Sequence, residues 1–306
     1  MELKDLIRPE TLPVDGYALA AAREPGLAIR ARQLTAARGN QPPTIAAILF
    51  VEDAGSVLYT RLKREAATRL GIGYQVFEFP ISTPVAEVQA KILELNQNPE
   101  ITGVMIQKPY RGQRDPGEYQ IWWHNLISTI DPAKDVDGLT PTTLNLVKAN
   151  RWQQAGVVLP ATCRAVLILL KHYTRIFDLT PERRAELKVA VIGRSELLGL
   201  PLAAELKNQK CDVILLGKKD LNQLIEQKIF LKNFDLVITA TGQVAFLKGE
   251  WLKPESLVVD VGEPRGDVEW KSAGQVASLI TPVPGGVGPL TVSSLMENSL
   301  DLLEPR

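Results

Sequence analysis

The chain has 306 residues, 45% of them hydrophobic and 23% charged, enough for two domains with cores of their own. Lys plus Arg and Asp plus Glu balance at 35 each, so no overall field favours nucleic acid or an anionic membrane. No apolar run is long enough to span a bilayer, and the start Met1-Glu2-Leu3-Lys4-Asp5-Leu6 has no hydrophobic signal core, so a cytoplasmic protein is expected.

Taken in chain order, Thr44 to Val51 reads as a buried strand and Ser56 to Leu70 as the helix after it. Ser56 is the expected N-cap, with Leu58, Leu62, Ala66 and Leu70 as the apolar stripe. Tyr74 to Phe79 is a second strand, and Val85 to Leu95 has helical spacing. Gly103 to Gln107 is a third strand, ending in a Pro109-Tyr110-Arg111-Gly112 loop. This alternation predicts an α/β/α layer with a parallel sheet. Tyr59 and Lys63 stand at i and i+4 on the helix and project from one face. With Gln107 and with Asp137 of Lys134-Asp135-Val136-Asp137-Gly138, they offer an aromatic platform, an amine, an amide and a carboxylate. Such a set can hold a flat heterocycle and move protons on it.

The alternation restarts after Pro141. Lys188 to Ile192, Asp212 to Leu216, Leu236 to Thr239 and Leu257 to Val261 read as strands, and Pro201 to Lys207 and Leu221 to Lys228 as helices. This half predicts a Rossmann-like doubly wound fold. The boundary is expected near Ala149 to Val158, with a bridging helix from about Thr162 to Tyr173. Cys163, Cys211, His124 and His172 lack metal-ligand spacing, so neither a disulfide nor a metal site is expected.

Gly193-Arg194-Ser195 and Gly199-Leu200-Pro201 lie between a strand and a helix, where this fold binds a pyrophosphate on helix amides. Past the next strand come Gly217-Lys218-Lys219-Asp220. Arg194, Lys218 and Lys219 together favour NADP over NAD, while Asp220 argues for the ribose hydroxyls of NAD. Pro282-Val283-Pro284-Gly285-Gly286-Val287-Gly288-Pro289 is the densest turn segment and suits a rigid wall of a binding cleft. A closing helix is expected from Thr291 to Leu303.

These motifs, collinear over nearly the whole chain, resemble the bifunctional methylenetetrahydrofolate dehydrogenase/methenyltetrahydrofolate cyclohydrolase family. The resemblance rests on Ser56-x-x-Tyr59-x-x-x-Lys63, Gly71-Ile72, Gly103 to Gln107, Lys134 to Gly138, Gly193-Arg194-Ser195 with Gly199-x-Pro201, Gly249-Glu250-Trp251, Val259-Asp260-Val261-Gly262 and Thr281 to Pro289. It implies a folate-binding catalytic domain over 1–156, completed by a C-terminal helix at 290–306. A Rossmann-like NAD(P)-binding domain over 157–289 would follow, with the folate in a cleft between the two. The implied chemistry is oxidation of methylenetetrahydrofolate with NADP, NAD being a possible substitute, then hydrolysis to formyltetrahydrofolate, in one-carbon metabolism that feeds purine biosynthesis.

In that scheme Lys63 is the principal proton-transfer residue, Gln107 orients it and helps keep part of it neutral, and Tyr59 flanks the folate. Asp137 pairs with the pterin's donor edge, Pro284, Gly285 and Gly286 complete the substrate site, and Thr241, Gly242 and Gly262 join the cofactor loop. Family members pair through their nucleotide domains, so a homodimer is expected, with Asp212 to Leu216 near its interface.

The chain departs from the family pattern at Glu52 to Ser56, one residue short, at Lys108 to Arg111, at Pro160 to Ala165, at Gly217-Lys218 and between Gly262 and Gly266. Two alternatives follow. One is a dehydrogenase whose altered Gln107-to-Arg111 loop misplaces Lys63 and weakens the cyclohydrolase. The other is a non-catalytic folate- or nucleotide-binding paralogue.

Overall fold

A computed structural model describes residues 2–110, 112, 115–226, 230–262 and 264–304. Arg111 and the end of the expected helix at Lys228 lie outside the described residues, as does the side chain of Lys218. The chain divides into two compact units, Met1–Ala21 with Thr162–Thr291, and Ala22–Ala161 with Val292–Arg306.

The first long helix is α1 (Gly16–Ala37), which sequence reading passed over; it is rich in alanine and carries Pro25 in its interior. Then follow β1 (Thr44–Phe50), α2 (Ala54–Leu70), β2 (Gly73–Phe79), α3 (Val85–Gln97), β3 (Gly103–Ile106), α4 (Pro116–Ile127) and α5 (Pro141–Lys148). Strand β1 lies in the middle of a parallel sheet of order β2-β1-β3. Its residues from Ile45 to Phe50 are all buried, as a strand covered on both faces requires. The core of this unit joins Ile45 and Ala47 to Ala66, Ala67 and Leu70 of α2, and to Leu295, Met296 and Leu300 near the chain's end.

Helix α2 differs from expectation in two respects. Its N-cap is Asp53, whose carboxylate accepts from the Gly55 amide at 3.3 Å, and Ser56 lies inside the first turn. Its buried face takes in only half of the expected stripe: Ala66 and Leu70 are buried with Ser56, Thr60, Lys63 and Ala67, while Leu58 and Leu62 are exposed. Gly71 closes the helix in the left-handed region at φ 73°, where glycine bears no steric penalty.

The second unit begins with α6 (Ala161–Tyr173), whose first residue is counted with the other unit, and continues through α7 (Pro181–Ala185), β4 (Lys188–Ile192), α8 (Gly199–Asn208), β5 (Asp212–Leu216), α9 (Lys218–Glu226), β6 (Leu236–Thr239), β7 (Leu257–Asp260), α10 (Trp270–Ala273) and β8 (Leu279–Ile280). Its five-stranded sheet is parallel, with order β5-β4-β6-β7-β8. The fifth strand, only two residues long, is too short to leave a periodic signal. The N-terminal segment packs here: the Arg8 amide donates to the Tyr173 carbonyl at 3.0 Å, the Arg175 amide to that of Leu6 at 2.7 Å, and Leu3 and Leu6 enter this core. Last comes α11 (Val287–Asp301), which starts four residues before the expected Thr291.

Candidate functional site

In the unit holding β1 to β3, Lys63 is 6% exposed, and its ammonium donates to Gln107 Oε1 at 2.7 Å. Gln107 directly follows β3, and its amide donates to the Ile48 carbonyl of β1 at 2.9 Å. Buried lysines are rare unless a partner compensates them; here the amide oxygen is such a partner. Tyr59, half-buried, stands one turn before Lys63 on α2.

Asp137 sits on a loop that the fold holds from several sides. The buried Asp135 carboxylate accepts from the amides of Gly138, Leu139 and Thr140 at 2.9, 3.2 and 2.7 Å. Gly138 adopts φ 71°, and a Cβ there would stand 2.7 Å from the Pro160 nitrogen. The Asp137 carbonyl accepts from the Ala161 amide at 3.2 Å. From α11 the fully buried Asn298 donates to the carbonyls of Val136 and Leu159, both at 2.9 Å. Burial pushes the Asp137 carboxyl above the usual aspartate range, the Lys63 charge opposes this, and the Asp135 charge adds to it. Tyr74 is pushed up as well, first by burial and then by the Asp137 charge. The structure therefore gathers Lys63 and Gln107 in direct contact, with Asp137 close enough to sense the ammonium.

In the other unit, β4 is followed directly by Gly193, whose amide donates to the Leu216 carbonyl at 2.9 Å. Gly193 has φ 122°, and a Cβ on Gly199 would come within 1.7 Å of its carbonyl oxygen. Ser195 shapes the turn between them: its carbonyl accepts from the Leu200 amide at 3.0 Å and its Oγ from that of Leu198 at 3.3 Å. No side chain caps α8 at Leu198, and the amides of a helix N-terminus favour an anion. The tight glycine cradle and the uncapped helix fit a dinucleotide pyrophosphate.

Arg194 pairs with Asp220 at 2.9 Å, and the same Asp220 oxygen accepts from the Gly217 amide at 2.7 Å. Asp220, read from sequence as a possible ribose ligand, is thus engaged with the arginine. Lys219 is exposed. Thr241 donates through both its amide and its hydroxyl to Asp267 Oδ2, at 2.6 and 2.9 Å. Gly242 follows at φ 69°, and a Cβ on Gly262 would stand 2.6 Å from Asp267 Oδ1. Gly285 and Gly286 of the Pro284 turn pack on Gly16: its amide donates to the Gly285 carbonyl at 2.8 Å, and a Cβ there would meet Gly286 oxygen at 1.8 Å.

Two family models cover these elements. The tetrahydrofolate dehydrogenase/cyclohydrolase catalytic domain matches residues 14–137, and the NAD(P)-binding domain of the same family matches residues 160–306. The chain belongs to the tetrahydrofolate dehydrogenase/cyclohydrolase family. Among its relatives, the bifunctional protein FolD of Rhodospirillum rubrum is 34% identical, over 96% of this chain and 97% of that protein. The FolD of Lactobacillus gasseri is 35% identical, over 85% and 86% of the two chains. Among solved structures, the bifunctional FolD of Campylobacter jejuni matches with a TM-score of 0.80 at 29% identity, covering 94% of this chain and 97% of that one. FolD of Trypanosoma brucei, solved with NADP cofactor and an inhibitor, matches with a TM-score of 0.81 at 28% identity over 95% and 97%.

Within this family member, several supporting residues escaped the sequence reading. Asp53, Asp135, Asp267 and Asn298 touch the backbone of candidate site loops rather than standing in the candidate set themselves. Asp135 and Asp53 did leave a signal, since each precedes amides two to five residues on, a spacing at which short carboxylates bind backbone. Asn298 left none, because its two acceptors lie 162 and 139 residues away.

Proposed function

We propose that this chain oxidises 5,10-methylenetetrahydrofolate to the methenyl form with NADP, then hydrolyses that to 10-formyltetrahydrofolate. The observation that carries the reading is the buried Lys63 ammonium on Gln107 Oε1 in a chain of this family. When bound, the nicotinamide would take up the hydride. Gly193, Ser195 and Gly199 would hold its pyrophosphate, Thr241, Gly242 and Gly262 the adjoining part, and Arg194 with Lys218 and Lys219 the phosphate on the adenosine ribose. Gln107 fixes one direction of Lys63. In ring opening, water adds to the methenyl carbon while Lys63, acting as the free amine, takes its proton and becomes the ammonium. The added hydroxyl then gives up its proton as its C=O bond forms, the bond from that carbon to one ring nitrogen breaks, and that nitrogen takes up a proton in exchange. Tyr59 flanks the heterocycle, Asp137 accepts from its donor edge, and Pro284, Gly285 and Gly286 complete the substrate contacts. The decisive assay follows reduced nicotinamide and the methenyl chromophore separately, with NADP and with NAD. We expect both activities and a higher kcat/KM with NADP; dehydrogenation without hydrolysis, or preference for NAD, overturns the corresponding half.

Asp137→Asn should weaken folate binding by about ten- to a hundredfold, because a carboxylate able to accept two hydrogen bonds is replaced by a group that accepts at one atom only. Binding by the ionised form also implies a pH dependence. Because the Asp137 carboxyl lies above the usual range, affinity should fall on acidification sooner than an exposed aspartate would allow. Calorimetric titration with folate and with NADP checks both points; equal losses for the two ligands would mark Asp137 as structural.

The formyl product suits enzymes that transfer a one-carbon unit, as in building purines, and the cytoplasm is the compartment proposed; among the described residues no helix is long and apolar enough to cross a membrane. The chain should also form a two-fold dimer through β5. That strand is at the edge of its sheet, and Ile214 on it is exposed, a combination that proteins usually cover. A monomer mass in light scattering at micromolar concentration would refute it.

A further inference from the structure

The loop after Gln107 departs from the family pattern, yet in this chain it is tied down on both sides. On one side, Asp53 Oδ2 accepts from the Tyr110 amide at 3.0 Å and from Ser56 Oγ at 2.6 Å, while Ser56 Oγ also reaches the Lys108 carbonyl at 3.3 Å. On the other side stand Tyr119 and Trp123, one turn apart on α4 and nearly buried. The Tyr119 hydroxyl donates to the Pro109 carbonyl. The Lys108 ammonium lies 4.7 Å from the Trp123 ring centre and 5.9 Å from that of Tyr119. Both distances are within the range at which a cation is drawn to an aromatic face, and tryptophan is the strongest such partner. The platform is itself anchored, since Trp122 packs on Phe50 at the end of β1 with ring centres 5.0 Å apart.

We propose that Lys108, seated on Trp123 and Tyr119, is a positioning residue that holds Gln107 against Lys63. The proposal rests on the role given above to Lys63. Gln107 is the hinge point between a strand fixed by its amide bond to Ile48 and a loop fixed by these contacts. From this position its side chain meets Lys63 at 2.7 Å. A solvated residue at 108 would keep the backbone contacts with Asp53, Ser56 and Tyr119 but lose the aromatic seat of its side chain, loosening the first loop residue. Displacements of about 1 Å at a catalytic group cost up to about a hundredfold.

The test compares Lys108→Met, which keeps the stem and removes the charge, with Lys108→Arg, which keeps a cation for the rings. Methenyltetrahydrofolate hydrolysis should lose about tenfold in kcat in Lys108→Met, with KM changed less than about twofold, and recover in Lys108→Arg. A raised KM at unchanged kcat would make Lys108 a substrate contact and overturn the proposal, as would equal losses in the two variants. A second readout is independent of turnover. In protein labelled with carbon-13 at the lysine ε-carbon, the Lys63 resonance, assigned by its loss in Lys63→Arg, should move in Lys108→Met and return in Lys108→Arg. A Lys63 resonance indifferent to both variants overturns the positioning role. Absence of hydrolysis in the unmutated protein would instead defeat the functional reading, and the resonance would still decide the placement of Lys63.

Discussion

Replacing Lys63 by methionine should abolish hydrolysis of methenyltetrahydrofolate, lowering kcat by about a thousandfold, while the protein stays folded. A positioned acid–base group contributes roughly 10²- to 10⁴-fold, and Lys63 is the buried amine among the four candidates. Methionine keeps the length and apolar stem of the side chain, so the core contacts of Ala66, Ala67 and Leu70 on the same helix face persist. Only the ammonium is lost. Its partner Gln107 is half-buried, so water can satisfy the amide oxygen and the stability cost stays near the lower end of about 1–3 kcal/mol. Asp137 loses the one charge that holds its carboxyl down, so its pKa rises further and folate affinity declines at a higher pH than before. Thermal melting and single-turnover hydrolysis check the two halves; a folded variant with undiminished hydrolysis removes Lys63 from the mechanism.

The second large effect is expected at the nucleotide loop. Gly199→Ala places a Cβ within 1.7 Å of Gly193 oxygen, a contact that real structures do not tolerate. Gly193 is itself closely packed, since a Cβ on it would stand only 2.5 Å from Ala240 oxygen. The first turn of α8 must therefore move, and with it the amides that would face the pyrophosphate. A shift of about 1 Å should cost about a hundredfold in NADP affinity, alongside about 1–3 kcal/mol of stability. Folate binding to the other unit should persist. Titration calorimetry with the two ligands separately decides it, and unchanged NADP affinity would remove this loop from the cofactor site.

The two variants probe parts of the chain that were unequally legible. Strands β1, β3, β4, β6 and β7 could be read as nearly uninterrupted apolar runs, because parallel strands buried on two faces admit little else. Strand β2, by contrast, carries Gln75 and Glu78 and is only partly buried. The glycine loop could be read from its place between a strand and a helix. The supports were hidden: Asp220 reads as a ribose ligand until its contacts to Arg194 and Gly217 are seen. Lys108 reads only as a departure from the family pattern until Trp123 is found beside its ammonium. Long-range partners of this kind, Arg194 for Asp220 and Trp123 for Lys108, leave no periodic trace.

What the sequence determined by itself is the kind of fold and which side chains share a face. Helical geometry makes Tyr59 and Lys63 neighbours, wherever the helix comes to lie. Which face turns inward was settled by packing. Apolar periodicity points to Leu58 and Leu62, yet the buried side carries Ser56, Thr60 and Lys63. Lys63 finds its partner on Gln107, and Ser56 on the cap residue Asp53 and the Lys108 carbonyl. The same holds at the chain's ends, where Leu3 and Leu6 join the core of the second half and Leu295, Met296 and Leu300 that of the first. A local pattern states that a residue must be covered; the tertiary structure alone supplies the cover, because hydrophobic burial is non-directional and any apolar surface of suitable shape can provide it.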